Sequence, residues 1–256
     1  MRHQPRKRFG QHFLRDRGVI DRIVSALAPQ PGDTVVEIGP GEGALTRALL
    51  ERVPVLQAVE LDRDLAAYLR QSYAPERLIV HQADALDFDF CQLAPPDGRL
   101  RVVGNLPYNI STPLLFHLLT QIGCIADMLF MLQKEVVDRL AAAPDTPDYG
   151  RLSVMIQWQL QVESLFDVGP ESFDPPPQVD SSVVYLRPHS TAPVTVANPE
   201  TFARVVKTAF ANRRKTLRNN LRDLISAEAL NALGIDPMRR AETLTLEEFA
   251  RLANAL

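Results

Sequence analysis

The sequence predicts an α/β fold in which helices cover a mostly parallel, doubly wound sheet. Short apolar runs alternate with amphipathic helical runs from Thr34 to Leu140, which is the pattern of such sheets. A glycine-rich turn, Gly39-Pro40-Gly41-Glu42-Gly43, directly follows the first apolar run. Polar residues follow the later runs, and parallel sheets bind their ligands at this carboxyl edge.

Length and composition exclude several classes of protein. A chain of 256 residues can form one large domain or two smaller ones, each with a full core. Hydrophobic residues make up 46% and charged residues 23%, which is typical of globular proteins. The net charge of −3 means that any nucleic-acid contact must come from local basic clusters. No apolar run approaches a membrane span and no secretory signal is present, so we expect a cytoplasmic protein.

The only two cysteines, Cys91 and Cys124, are far apart in sequence and lack metal-ligand spacing. We therefore expect reduced thiols and no metal site.

The N-terminal stretch has two parts. Arg2, Arg6, Lys7 and Arg8 form a basic tail, which is either solvated or an arm that touches phosphate. The following Phe9–Leu14 stretch is apolar enough to need burial, and Gly18–Leu27 is predicted to be a helix with one apolar face.

A nucleotide-binding βα unit is predicted around the glycine turn. Asp33–Ile38 reads as a buried strand and Ala44–Leu50 as the following helix. The Gly-x-Gly-x-Gly spacing differs from the Gly-x-Gly-x-x-Gly of a dinucleotide site. Glu60 ends the next strand, Val55–Val59, where an acid can bind both hydroxyls of a ribose. The alternative for Glu60 is an ordinary surface charge.

Asp84 follows the third predicted strand, Leu78–His81. Its carboxylate could accept a hydrogen bond from an adenine amino group, or it could cap a short helix. The residues alone leave both interpretations open.

The fourth strand, Leu100–Val103, leads into the turn Gly104–Pro113. Pro107 restricts its own backbone and that of Leu106, so carbonyl groups beside it are expected to point outward. Asn105 adds a side-chain acceptor and Tyr108 an aromatic face that can stack on a base. Acceptors and a ring in one small space suit the exocyclic amine of a planar base. The alternative is an ordinary turn.

Met128–Leu132 is the fifth predicted strand, and Val162–Val168 with Val183–Leu186 is expected to close the sheet as an antiparallel hairpin. The proline-rich stretch that begins at Phe173 either presents this ring rigidly or leaves it in the core.

Residues 189–199 read as a linker and the remainder as helices. Asn198 and the Thr245–Glu248 capping box are predicted to begin two of these helices. The densest basic run is Ala211–Asn220, for which an RNA-contacting face is favoured over a solvated helix end.

Together these motifs resemble the bacterial small-subunit rRNA adenine dimethyltransferases, the kasugamycin-resistance methyltransferase family. The resemblance covers nearly the whole chain. It rests on Phe9–Leu14, Glu37–Gly41, Glu60–Asp62, Ala83–Ala85, Asn105–Pro113, Phe173–Ser181 and Arg213–Arg218. It implies a Rossmann-like class I methyltransferase domain over residues 1–188 and a small all-helical RNA-contacting domain over residues 189–256.

The resemblance also implies function. The expected activity is dimethylation, from S-adenosylmethionine, of two adjacent adenosines near the 3′ end of small-subunit rRNA, with a role in ribosome biogenesis. The expected partner is the small ribosomal subunit, and a monomer is expected. Donor contacts are implied for His12, Leu14, Gly39, Gly41, Glu60, Leu61, Asp84, Ala85 and Asn105. RNA contacts are expected at Arg213, Arg214, Lys215 and Arg218.

For the catalytic step, the Asn105 oxygen and a carbonyl of Leu106 or Pro107 are expected to accept from the target amine. Tyr108 and Phe173 would stack on opposite faces of an extruded adenine. One position departs from the family, because His12 stands where asparagine is usual.

Three rivals follow from the same residues. An antibiotic-resistance methyltransferase of large-subunit rRNA would share the fold and the chemistry. A ribosome-assembly or transcription factor could keep the fold without turnover. A nicotinamide oxidoreductase is disfavoured by the glycine spacing.

Overall fold

The computed structural model describes residues 12–256, so Arg2–Arg8 and Phe9–Gln11 lie outside the described residues. Within that range the strands are β1 (Phe13–Leu14), β2 (Thr34–Ile38), β3 (Leu56–Glu60), β4 (Leu78–Gln82), β5 (Leu100–Asn105), β6 (Ile125–Gln133), β7 (Leu160–Val168), β8 (Phe173–Asp174) and β9 (Ser181–Pro188).

The α-helices of the same range are α1 (Arg17–Leu27), α2 (Ala44–Leu50), α3 (Arg63–Ser72), α4 (Ser111–Thr120), α5 (Lys134–Ala141), α6 (Arg151–Gln159), α7 (Pro199–Ala209), α8 (Leu217–Asn220), α9 (Ala227–Ala232) and α10 (Leu246–Asn254). None of the described helices is long and apolar enough to cross a membrane.

Seven strands form the main sheet, in the order β4-β3-β2-β5-β6-β9-β7. The pairs β2–β3, β3–β4, β2–β5 and β5–β6 are parallel, whereas β9 runs antiparallel to β6. The predicted α/β class is therefore confirmed, including the two late strands. The chain moves outward from β2 through β3 to β4 and then returns to β5 on the other side of β2. Such a reversal opens a crevice at the carboxyl ends of the two central strands.

Local signals begin the helices where the sequence predicts. The Asp16 side chain accepts a hydrogen bond from Val19 N at the start of α1, at 3.0 Å. Asn198 caps α7 through Glu200 N, at 2.9 Å. Thr245 and Glu248 form the predicted capping box of α10. Each satisfies backbone N–H groups that a helix start leaves unpaired.

An ion-pair network fastens the amino end of β5. The guanidinium of Arg101 lies 2.8 Å from a carboxylate oxygen of Asp33 and 2.8 Å from one of Asp127 in β6. The Tyr185 hydroxyl donates to the same Asp127 oxygen at 2.6 Å. These bonds raise the pKa of Arg101 against the opposing effect of its partial burial. The network joins β5, β6, β9 and the residue before β2.

The chain forms two compact units. The first is the chain up to Val137 together with Glu163–Pro188, and the second is Asp138–Val162 together with His189–Leu256. The predicted domain boundary at residue 188 coincides with one unit boundary. The sequence prediction, however, placed Asp138–Val162 with the first domain.

The second unit has an aromatic core of its own. Trp158 packs on Phe202 with ring centroids 4.7 Å apart, and Phe210 on Phe249 at 5.7 Å. Phe202 and Phe249 are fully buried.

The expectation of two separate reduced thiols is wrong in this structure. Cys91 and Cys124 form a disulfide, with their Cα atoms 5.5 Å apart. Cys91 lies in a short 3₁₀ turn, Phe90–Leu93, and Cys124 closes another, Ile122–Cys124, directly before β6. Packing brings these turns together, because the Gln121 side chain accepts a hydrogen bond from Phe90 N at 2.6 Å. The spacing of the two cysteines in the sequence did not indicate that they would lie close together.

We expect protein purified without reductant to show no free thiols when it is denatured and then titrated with a thiol reagent. After reduction the same titration should detect two thiols. Because the bond closes a loop with a separation of 33 residues, its reduction should lower the free energy of unfolding by about 3–4 kcal/mol. Denaturant unfolding with and without reductant measures this. The double variant Cys91→Ser/Cys124→Ser should be insensitive to reductant, and two reactive thiols in the unreduced protein would contradict the bond.

Candidate active site

A cavity opens in the first unit at the carboxyl ends of β2, β3 and β5. Its lining comes from five stretches, 12–15, 37–45 without Gly43, 59–62, 83–85 and 105–110. Every residue predicted to contact the donor and the whole Asn105–Tyr108 turn lie on this lining. The structure therefore brings together predicted site residues that are distant in sequence, such as His12 and Tyr108.

The glycine turn is shaped by close contacts. Gly41 has a positive φ of 57°, and a Cβ at this position would lie 3.0 Å from the Phe13 ring. Its N–H donates to Glu60 Oε2 at 3.1 Å. A glycine is required here because the backbone conformation is strained for other residues and the aromatic ring leaves no room.

Glu60 is buried, with 6% of its surface exposed. Its second oxygen accepts from Asp62 N at 2.8 Å, so backbone N–H groups hold both oxygens. Burial raises the pKa of Glu60, while the hydrogen bonds from Asp62 and Gly41 act in the opposite direction. Each carboxylate oxygen has a further lone pair, so the group can still accept from two ligand hydroxyls.

Asp84 makes a local hydrogen bond in the same cavity. Its Oδ1 accepts from Leu86 N at 2.9 Å, and no α-helix starts there. This side chain therefore organises its own turn and can also offer an acceptor to a ligand.

Asn105 connects the turn after β5 to the N-terminal strand. Its Nδ2 donates to the backbone oxygen of His12 at 2.9 Å. Because this bond identifies the amino end of the amide, Oδ1 is left as the acceptor, and no described residue donates to it. The interaction crosses 93 positions of sequence.

The two carbonyl groups proposed as partners of Asn105 differ. The oxygen of Pro107 accepts from Ile110 N at 3.1 Å, whereas no described residue donates to the oxygen of Leu106. Leu106 itself is fixed by its N–H, which donates to Met131 O at 3.1 Å. The Leu106 carbonyl is therefore the better second acceptor.

Tyr108 and His12 pack side by side. Their ring centroids are 5.5 Å apart with an interplanar angle of 27°. The Tyr108 hydroxyl shares a hydrogen bond of 2.8 Å with Ser181 Oγ. His12 Nδ1 lies 2.8 Å from Pro175 O, and since a carbonyl only accepts, Nδ1 carries the proton. Both rings are thus held by residues near β9 and β8.

Phe173 occupies the core. The side chain is 4% exposed and belongs to the apolar cluster formed with α1 and α2. Its strand β8 pairs with β1, where Phe173 lies opposite Leu14. It does not line the cavity, so the predicted stacking role would require the ring to leave this position.

The basic run lies in the second unit, before and within α8. Arg213 pairs with Glu242, with 3.3 Å between Nε and Oε2, and also donates to the backbone oxygen of Pro147. Arg214, Lys215 and Arg218 are exposed. The RNA contacts of the four basic residues stay a prediction. Of the four, Arg213 already binds residues of its own unit.

Glu37 is a cavity residue that the sequence reasoning did not assign. It is 2% exposed and accepts a 2.6 Å hydrogen bond from Thr46 Oγ1. Burial raises its pKa to about 8; the Thr46 bond opposes the shift and the charge of Glu60 adds to it. The only sequence signal that could have identified Glu37 as a cavity residue was its place at the end of a buried strand, before the glycine turn. Among the described residues no group of three or more acids, histidines or cysteines could hold a metal ion.

Comparison with known proteins identifies the family. The sequence model of the family described as "Ribosomal RNA adenine dimethylase" matches residues 2–256. The chain belongs to this family. It is 60% identical over 247 residues to a protein of Thiobacillus denitrificans named ribosomal RNA small subunit methyltransferase A, covering 96% of each chain. A protein of the same name from Alcanivorax borkumensis is 56% identical over 252 residues, covering 98% of this chain and 90% of the relative.

Solved structures of related enzymes share the fold. A dimethyladenosine transferase from Plasmodium falciparum superposes with a TM-score of 0.77 at 25% identity, over 94% of this chain and 96% of that one. The 23S rRNA methyltransferase ErmE gives 0.71 at 29% identity, over 95% and 99%. Membership of the family makes this chain a methyltransferase of the rRNA adenine dimethylase type, and the Rossmann-like class is confirmed.

We expect Glu37 to make stability depend on pH. Because its folded pKa of about 8 lies above the ordinary 4.5, the unfolded chain releases this proton first as the pH rises. The free energy of unfolding should therefore fall between these pH values, by up to about 1.4 kcal/mol per pH unit. Denaturant unfolding from pH 5 to pH 8 measures the slope.

Glu37→Gln should flatten that slope, and the exposed Glu51→Gln should not. Glu60 acts in the same direction, so the difference between Glu37→Gln and the unsubstituted protein isolates Glu37. Identical slopes for these two proteins would show that Glu37 is already ionised in the folded state.

Proposed function

We propose that this protein transfers methyl groups from S-adenosylmethionine to two adjacent adenosines near the 3′ end of small-subunit rRNA, each to the N6,N6-dimethyl state. The observation that carries the proposal is the Asn105 amide. Its amino end is bound by His12 O, which leaves Oδ1 available as an acceptor on the cavity lining, together with the Leu106 carbonyl. This pair matches the two N–H groups of an adenine amine.

The cavity residues fit the donor. Glu60 offers a carboxylate held by backbone N–H groups, which suits the two ribose hydroxyls. Asp84 offers an acceptor for the adenine amino group. Leu61 and Ala85 supply apolar surface for the adenine ring. His12, Leu14, Gly39 and Gly41 complete the predicted donor contacts on the same lining. When bound, S-adenosylmethionine supplies an activated methyl group on a positively charged sulfur.

The contribution of the protein is positioning. The amino nitrogen of adenine is a weak nucleophile because its lone pair is delocalised into the ring. Accepting both N–H bonds at Asn105 Oδ1 and Leu106 O favours a pyramidal nitrogen with a localised lone pair. Holding this nitrogen in line for attack removes much of the entropic barrier. The nitrogen can lose its proton to water after transfer, so no side chain is assigned as a general base.

Tyr108 is the proposed stacking partner of the extruded adenine. Its ring is oriented by the hydroxyl bond to Ser181 and by contact with His12. Base extrusion with aromatic stacking is the general solution for chemistry on a base edge. Phe173 could stack on the opposite face of the adenine only if its ring moved out of the core.

Small-subunit rRNA is favoured over large-subunit rRNA as substrate. The relatives at 56–60% identity are named small subunit methyltransferases, whereas the large-subunit enzyme ErmE is 29% identical. The exposed Arg214, Lys215 and Arg218 supply cations for the phosphate backbone. We infer that the protein acts as a monomer on the assembling subunit in the cytoplasm. Because cytoplasmic proteins usually keep their cysteines reduced, the Cys91–Cys124 bond would be an exception there.

The substrate is tested by mapping tritiated methyl groups. Small subunits, naked small-subunit rRNA and large subunits, all from cells lacking this modification, are incubated with the protein and S-adenosylmethionine. We expect label in two adjacent adenosines near the 3′ end of small-subunit rRNA, recovered as dimethyladenosine. Label in large-subunit rRNA would favour the rival enzyme, and no label with retained subunit binding would favour the assembly factor.

Asn105→Ala should lower the single-turnover rate by about a hundredfold or more, because it removes an acceptor that acts in the transition state. Subunit binding should survive, as a filter-binding assay would show. Donor affinity is measured as well, since the variant also frees His12 O. Asn231→Ala, an exposed asparagine in the second unit, is the matched control. Near-normal turnover of Asn105→Ala would disprove the proposed mechanism.

A further inference from the structure

The ionisable side chains on the cavity lining are mostly acids, although Glu37, whose pKa is raised to about 8, is largely neutral near pH 7. Five are carboxylic acids, and among the described residues a single arginine, Arg15, lines the same cavity. The acids are Glu37, Glu42, Glu60, Asp62 and Asp84. His12 is the one other basic side chain there, and its Nδ1 donates to Pro175 O.

This inequality matters because the proposed donor carries charges of both signs. Its sulfonium and its α-ammonium are positive, and a lining rich in carboxylates suits them. Its α-carboxylate is negative and would be repelled by the same acids. A cation on the cavity lining would offset this repulsion at the amino-acid end of the donor.

Arg15 has the reach and the spare donors for this role. Its side chain is 46% exposed, and one guanidinium nitrogen, Nη2, binds Glu42 in the glycine turn. A guanidinium has five N–H donors in a planar fork, so it can bind a second carboxylate while keeping Glu42. The backbone is held where Arg15 N donates to Ser172 O at 2.8 Å.

We propose that Arg15 binds the α-carboxylate of S-adenosylmethionine and is a further donor-binding residue of this enzyme. The proposal rests on the donor assigned above. Glu42 acts as the positioning residue, since it holds the guanidinium beside the glycine turn. Arg15 thereby gives selectivity for a donor with an intact amino-acid end over analogues without the carboxylate.

The test compares two ligands by calorimetry. One is S-adenosylmethionine and the other is decarboxylated S-adenosylmethionine, which keeps the adenosine, sulfonium and amine but lacks the carboxylate. Arg15→Gln should weaken binding of S-adenosylmethionine about five- to tenfold, as expected for a charged hydrogen bond at a half-exposed site. Its affinity for the decarboxylated analogue should change less than about twofold on the same argument.

Two further variants sharpen the comparison. Arg15→Lys keeps a cation and should retain part of the preference for S-adenosylmethionine. Arg17→Gln removes an exposed arginine that is outside the cavity lining and should leave both affinities unchanged.

Equal losses for the two ligands in Arg15→Gln would overturn the proposal, because they would indicate that the Arg15–Glu42 pair only supports the shape of the cavity. No loss for either ligand would overturn it as well. Failure of the unsubstituted protein to bind S-adenosylmethionine would overturn the donor assignment itself. Normal binding by the unsubstituted protein with unchanged selectivity in Arg15→Gln would overturn only the role of Arg15.

Discussion

The hydrogen bond from Asn105 Nδ2 to the backbone oxygen of His12 is the contact on which the site depends. It leaves Oδ1 as the acceptor of the amide, and it holds the N-terminal strand against the turn at the end of β5. The Tyr108 ring then packs on His12, and Arg15, three residues further along, comes to lie beside the glycine turn. One amide thus couples the N-terminal strand to the turn that carries the proposed acceptors for the target base.

A second constraint acts one residue earlier, where β2 and β5 approach each other. A Cβ on Gly104 would lie 2.5 Å from the backbone oxygen of Ile38, so only glycine fits at this position. The close approach places the Asn105 turn next to the glycine turn across the reversal of strand order. The glycine turn and the Asn105 turn consequently meet at the carboxyl edge without any long loop.

Two buried acids on the cavity lining, Glu37 and Glu60, are unfavourable for folding unless their charge is stabilised or removed. Glu60 is stabilised by two backbone N–H groups, whereas Glu37 has a hydroxyl partner and a pKa raised to about 8. A carboxylate away from water is unfavourable unless it is hydrogen-bonded or protonated. The two acids show both solutions side by side. Among the described residues, this acidic lining contains a single arginine, Arg15, for which we propose an electrostatic role.

The sequence by itself determined the features that depend on local physics. Strand and helix periodicity, the Asn198 and Thr245 caps, the glycine turn and the polar residues at strand ends all follow from neighbours a few positions apart. These features were enough to predict the sheet, the residues that gather on the cavity lining and the family. Tertiary structure decided the rest: the Cys91–Cys124 bond, the burial of Phe173, the grouping of Asp138–Val162 with the C-terminal helices and the pairing of Arg15 with Glu42. Each of these depends on packing between segments distant in sequence, for which periodicity and spacing carry no signal.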